Sequence, residues 1–127
     1  MKLLLDTHIV IWTIDRSLVR RYPEIARLLQ DEANSSYVSA ASLWEINIKV
    51  GIRKLDIDIK TAKIPDFLMS QGLYQLGIAA EHALHDVTPE PLTRDPFDRL
   101  LLAQAQIEGM RFVTADRKLA DHPVTFR

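Results

Sequence analysis

With 127 residues, 47% of them apolar and 26% charged, the chain has the size and composition of one compact domain, residues 1–127, and not of a disordered tail, a collagen or a long coiled coil. Sixteen Lys and Arg against 17 Asp and Glu give a formal charge of −1, so no domain-wide basic footprint points to nucleic acid. The absence of Cys removes thiolate metal sites, Fe–S clusters and Cys nucleophiles, and leaves any metal to oxygen or nitrogen donors.

Residues 2–5 form a short apolar run ended by Asp6, the pattern of a buried parallel strand. Thr7 is placed to cap a helix carrying Ile9, Val10, Ile11 and Trp12. Pro23 and Glu24 open a second helix that Asn34 to Ser36 stop, and Tyr37-Val38 is a short strand. Ser39 is the expected N-cap of a helix through about Val50, with Gly51 at C′. Residues 52–60 alternate apolar and polar and predict a short extended arm. A helix from about Ile64 to Gln71 ends at Gly72, residues 73–78 read as a strand, and Ala80 to His85 as a short helix. Asp95-Pro96 opens the strongest helix, which stops before Gly109; 111–114 is a strand, Asp116 caps a short helix, and 124–126 is a last strand. This βα alternation predicts an α/β fold with a mostly parallel sheet and helices on both faces.

No apolar run reaches the ~20 residues of a membrane span. Asp6 and His8 interrupt the apolar start before the core of a signal peptide is complete, so a cytoplasmic protein without a membrane role is expected. Neither a phosphate-binding glycine loop nor a nucleophile elbow occurs, which disfavours nucleotide cofactors and serine hydrolysis.

The acids carry the functional signal. Asp6 ends the first strand, Glu45 lies in the second turn of the helix after Tyr37-Val38, Asp98 lies in the first turn of the strongest helix, and Asp116 follows the strand at 111–114. Strand C-termini and helix N-termini share one edge of a parallel sheet, so these four point to one place. Gathered carboxylates repel one another and call for a cation; oxygen donors without Cys favour Mg²⁺ or Mn²⁺ over zinc. Such a cation suits phosphodiester hydrolysis, since it can ionise an attacking water and stabilise charge on the leaving oxygen. Each acid also has a plainer reading. Asp6, Asp95 and Asp116 are good helix caps, Asp98 is the N3 acid of a capping box, and only Glu45, between Trp44 and Ile46, resists that explanation.

Leu3-Leu4-Leu5-Asp6-Thr7-His8, Ser42-Leu43-Trp44-Glu45, the run Arg94 to Ala105 containing Asp95-Pro96-Phe97-Asp98-Arg99, and Val113-Thr114-Ala115-Asp116 together resemble the PIN domain of VapC-type toxins. The resemblance spans essentially the whole chain, and the Asp-Pro-Phe-Asp-Arg run is its most specific element. It implies a metal-dependent endoribonuclease, the toxin of a type II toxin–antitoxin pair, that forms a homodimer, is inhibited by an antitoxin and leaves a 5′-phosphate. It also implies Asp6, Glu45, Asp98 and Asp116 as the catalytic metal ligands, with Thr114 supporting them. The sequence departs from the family pattern at Thr93, where relatives often carry His, and at His122-Pro123, where they often carry an aromatic residue.

Other residues carry weaker signals. Asp95 caps its helix and is one turn from Asp98; Arg99 and Arg94 either meet phosphate or pair with neighbouring acids. His82 and His85 are three apart without a third ligand nearby in sequence, and Trp12 and Trp44 sit among helix-spaced apolar residues as core or interface anchors, not base-stacking platforms. A receiver-like or PIN-like binding module without catalysis is the alternative; a receiver would show paired acids after the first strand and a Lys after the last, and neither is present.

Overall fold

The computed structural model describes all residues, 1–127. Four parallel strands, β1 (Lys2–Leu5), β2 (Ser35–Ser39), β3 (Tyr74–Leu76) and β4 (Arg111–Val113), lie in the order β3-β2-β1-β4. The helices are α1 (Thr7–Ile14), α2 (Leu18–Arg21), α3 (Pro23–Gln30), α4 (Ala40–Gly51), α5 (Ile64–Ser70), α6 (Ala80–Leu84), α7 (Pro96–Glu108) and α8 (Arg117–Ala120).

β1 is central, and its pleat explains the uniformly apolar sequence. Leu3 and Leu5 enter one core with Ile9 and Val10 of α1, Ile46 of α4 and Leu68 of α5; Leu4, facing the other way, enters a second core with Leu101 and Leu102 of α7, Phe112 of β4 and Leu119 of α8. Both faces of the sheet are thus covered, as the βα alternation implies. The chain leaves β1 outward through β2 and β3 and then returns to the other side of β1 as β4, so the strand order reverses between β1 and β4. At such a reversal the connections diverge to opposite faces and open a crevice beyond the strand C-termini. Asp6 stands there, its backbone N–H continuing the β1–β4 ladder to Val113 O at 2.9 Å.

Several local expectations are corrected. Asp6, not Thr7, is the N-cap of α1, because Asp6 still has extended backbone and its carboxylate accepts from Thr7 N, leaving Thr7 as the first helical residue. α4 runs through Gly51; Arg53 takes the left-handed position (φ 61°), with Lys54 N bonded back to Lys49 O and Arg53 N to Val50 O, the pattern of a Schellman end. Residues 52–60 form turns and coil, not an extended arm: their alternate apolar residues Leu55, Ile57 and Ile59 pack on the core without a strand partner. The last strand is a single bridge, Thr125 beside Phe112, and β3 is shorter than 73–78. α2 and a 3₁₀ turn at Thr61–Lys63 were not anticipated. Trp44 is 60% exposed and is no core anchor, whereas Trp12 is half-buried against Tyr22, ring to ring at 5.2 Å.

One buried polar knot fixes α7 against the sheet. Gln104 is fully buried; its Oε1 accepts from Ser39 Oγ at 2.5 Å and its Nε2 donates to Gly77 O at 3.2 Å. Ser39 in turn caps α4 by accepting from Ala41 N. The ends of β2, α4 and the segment after β3 are therefore held to the helix that carries Asp98. Replacing the amide by an apolar side chain leaves the buried Ser39 hydroxyl without its acceptor and frees the Gly77 carbonyl. Gln104→Met is expected to cost about 2–3 kcal/mol and lower the melting temperature by roughly 8–12 °C, read by thermal unfolding.

Candidate active site

At the crevice, Asp6 is 4% exposed, and both its oxygens are occupied on the protein side: Oδ1 accepts from Thr7 N at 2.7 Å and Oδ2 from Thr114 Oγ1 at 2.6 Å. Thr114 Oγ1 itself accepts from Asp116 N, so the loop after β4 is laced to the end of β1. Thr7 Oγ1 donates to Ser42 Oγ at 2.9 Å, tying α1 to α4 one turn before Glu45. Glu45 is 7% exposed on the buried face of α4 and meets Lys49 Nζ at 2.7 Å, an i,i+4 pair. Asp98 sits half-buried at N3 of α7, where Asp95 caps the helix and Thr93 Oγ1 donates to Asp98 Oδ2 at 3.0 Å.

Electrostatics show which of these acids share a site. Burial pushes the Asp6 carboxyl above its ordinary range; the hydrogen bonds from Thr114 and Thr7 and the charge of His8 pull it down, and Glu45 adds to the rise. Asp98 is pushed up to about 7, first by burial, then by the charges of Asp6 and Asp95, with Thr93 opposing and Glu45 adding. Burial is the larger cause of both rises, and the neighbouring like charges add to it. Asp6, Glu45 and Asp98 are therefore near enough for their charges to act on one another, although their oxygens do not converge within 4.8 Å. Asp116 is exposed; its Oδ1 accepts from Lys118 N as the cap of α8, and it joins the site through its backbone bond to Thr114. Arg99 reaches Glu90 and Thr93 O, so it pairs with a neighbouring acid as a solvated surface residue does.

Two residues at this site were missed. Lys49 is the one ammonium in contact with the acids, and its i,i+4 spacing from Glu45 was a readable signal. Thr93, singled out only as a departure from the family pattern, holds Asp98; a buried hydroxyl five residues before the acid leaves no clear mark in sequence.

Three His, Asp or Glu ligand atoms lie within 4.8 Å of one another at only one place, Glu81, His82 and Glu108. His82 Nδ1 accepts from Ala79 N at 2.9 Å, so the ring proton is on Nε2 and donates to Glu108 Oε2 at 3.1 Å. A metal on Nε2 would have to displace that proton and leave an imidazolate, whereas ligating histidines ordinarily donate from their second nitrogen. His82 is a strut between α6 and α7. His85 bonds Gln106 instead of joining it, so the two do not form a metal pair. A surface cavity of about 450 Å³ is lined by Trp12, Arg16, Leu29 and Asn34 and contains none of the four acids.

The family model of the PIN domain matches residues 3–124. The chain belongs to the PIN domain family. That membership sets aside the receiver-like reading and agrees with the parallel sheet and its acidic switch point. The fold is similar to VapBC2 from Rickettsia felis, solved bound to a DNA fragment from their promoter, with a TM-score of 0.68 and 20% identity over 99% of this chain and 96% of that one. It is also similar to a toxin–antitoxin complex from Klebsiella pneumoniae, with a TM-score of 0.64 and 20% identity over 98% and 96%. No curated protein matches the sequence.

The raised carboxyls of this PIN domain give a pH dependence whose sign is fixed. A folded-state value above the unfolded one means that the folded protein holds the proton more tightly, so stability is fully present below the unfolded value near 4 and is lost as pH rises through about 7. The metal-free protein is expected to melt at a higher temperature at pH 6 than at pH 8. Asp98→Asn keeps the N3 position without the charge; at pH 8 it should be more stable than the parent by about 1 kcal/mol, solvent screening at a half-exposed group included, and should show a shallower pH slope in thermal melts.

Proposed function

We propose that the chain is a divalent-metal-dependent endoribonuclease and the toxin of a type II toxin–antitoxin pair. The observation that carries this reading is the placing of Asp6, Glu45 and Asp98 around the β1–β4 switch point of a PIN domain, where burial raises the Asp6 carboxyl and burial with the charge of Asp6 raises that of Asp98. An evolved crevice that holds anions against their own repulsion, with one Lys in contact, is suited to a cation.

The residues fit a hard divalent ion. The donors are carboxylate oxygens, the chain has no Cys, and His82, His85 and His122 are engaged with Glu108, Gln106 and Pro89 O. Asp6, Glu45 and Asp98 would hold Mg²⁺ or Mn²⁺, with Asp116 joining from the β4–α8 loop. Such an ion supplies neutralisation of phosphate charge and acidification of water. The protein's own groups do the rest. Thr114 and Thr7 fix the orientation of Asp6, so its remaining lone pairs face the crevice; Thr93 takes one oxygen of Asp98 and leaves the other outward. Lys49 holds Glu45 at the pocket wall and reduces repulsion there. The reaction is in-line attack of water on phosphorus, with the P–O bond to the 3′ oxygen breaking and a 5′-phosphate and a 3′-hydroxyl as products.

The similarity to chains from toxin–antitoxin complexes supports an antitoxin partner, and the family resemblance supports a homodimer and a cytoplasmic setting. An Arg or Lys supplied by a partner would pair with the same carboxylates and compete with the metal. No helix of the chain is long and apolar enough to cross a membrane.

Purified protein incubated with a mixed RNA pool is expected to cut it with Mg²⁺ or Mn²⁺ and to stop in EDTA. Asp98→Asn and Glu45→Gln should each lose at least about 100-fold in rate while remaining folded. Equal cutting by parent and Asp98→Asn would refute the assignment, and full activity in Glu45→Gln would remove that residue from the site.

A further inference from the structure

Beside the acid pair of α4 and α7 lies an aromatic pair. Trp44 immediately precedes Glu45, Phe97 immediately precedes Asp98, and the two rings meet at 5.6 Å between centroids and 71°, edge to face. The indole is nevertheless 60% exposed, although Glu45, its sequence neighbour, is 7% exposed. One residue of rotation along α4 separates a buried carboxylate from an open indole, and the same step along α7 separates Asp98 from Phe97. The aromatic contact therefore joins the same two helices that carry Glu45 and Asp98.

An exposed indole next in sequence to a buried carboxylate, and in contact with the residue before a second one, has a specific chemical use. A single strand whose phosphate lies at the carboxylates carries its bases within a few ångströms of that phosphate, and a base gains about 1–3 kcal/mol by stacking on an aromatic face. Phe97 packs against the indole and fixes its ring plane in advance, which lowers the ordering cost of binding. Resting on the nuclease reading above, we infer that Trp44, positioned by Phe97, stacks a nucleobase of single-stranded RNA next to the scissile phosphate. The apolar stripe continues along α4 as Ile48 and Ile52, 37% and 57% exposed. Those aliphatic residues offer no π face, and the aromatic contact to α7, next to Asp98, is made by Trp44; this favours a base over a protein partner as occupant of the Trp44 end.

The test uses cleavage of a defined single-stranded RNA dodecamer by Trp44→Ala, Trp44→Phe and Trp44→Leu, each checked for an unchanged melting temperature. Independently, tryptophan emission is titrated with the same dodecamer in Ca²⁺, in a Trp12→Phe background so that Trp44 is the only indole. Stacking predicts a loss of about 5- to 150-fold in kcat/KM for Trp44→Ala, mainly in KM, with substantial recovery in Phe and not in Leu, and saturable quenching of Trp44. Recovery by Leu equal to Phe, an unchanged KM in Trp44→Ala, or absent quenching would overturn it. So would a Trp44→Ala protein that binds the dodecamer as the parent does but sediments at a lower mass, since that places a second protein chain on the indole. Quenching does not require cleavage: an inactive parent whose Trp44 is still quenched would count against the nuclease reading and leave base stacking standing.

Discussion

Asp6 and Asp98, held near Glu45 with one ammonium in contact, carry more negative charge than their surroundings neutralise, and much of the structure serves to keep them there. Buried anions relax by protonation, by moving apart or by binding a cation. Here the raised carboxyls favour the first, and the second is resisted by the hydrogen bonds on Asp6 and Asp98. Thr7 N–H and Thr114 hold Asp6, Thr93 holds Asp98, and the Thr7–Ser42 bond ties α1 to the helix that carries Glu45. The third route is the one a metalloenzyme uses.

That frustration is affordable because it is anchored in the most buried part of the fold. Leu3, Leu4 and Leu5 are fully buried on both faces of the central strand, and full burial of one such side chain contributes about 1.5–3 kcal/mol relative to leaving it exposed. Asp6 inherits its position from that strand, and Asp98 inherits its position from α7, whose residues Leu101 to Ala105 are all buried. Gln104 locks α7 to β2 and to the segment after β3. By contrast, Lys49 and Asp116 are at the solvent side of the site, where side chains can adjust to substrate without disturbing the core.

Features governed by neighbouring residues were legible in the sequence. Asp95 before Pro96 and Asp98 before a helical run, with Gly109 at a left-handed end (φ 67°), mark α7 almost to the residue, because capping chemistry is local. The four acids stand out as candidates by their places at strand ends and in the first two turns of helices. Strand order was not, since parallel pairing brings together residues far apart in sequence. The exposure of Trp44 was hidden for a different reason. α4 turns Ser42 and Glu45 inward with Ala41 and Ile46, while its more apolar stripe, Trp44, Ile48 and Ile52, faces outward. Helical periodicity shows that two stripes exist and assigns the apolar one to the core; here the polar stripe is inside, where Ser42 bonds Thr7 and Glu45 meets Lys49.

The central claim is that the crevice at the β1–β4 reversal is a cation site, and crystals grown with Mn²⁺ and measured for its anomalous scattering test it most directly. The account predicts a peak within about 2.0–2.3 Å of carboxylate oxygens of Asp6 and Asp98, with Glu45 or Asp116 in its immediate surroundings. A peak at Glu81, His82 and Glu108 with none at Asp6, or no peak at Mn²⁺ concentrations that support RNA cleavage, would contradict it.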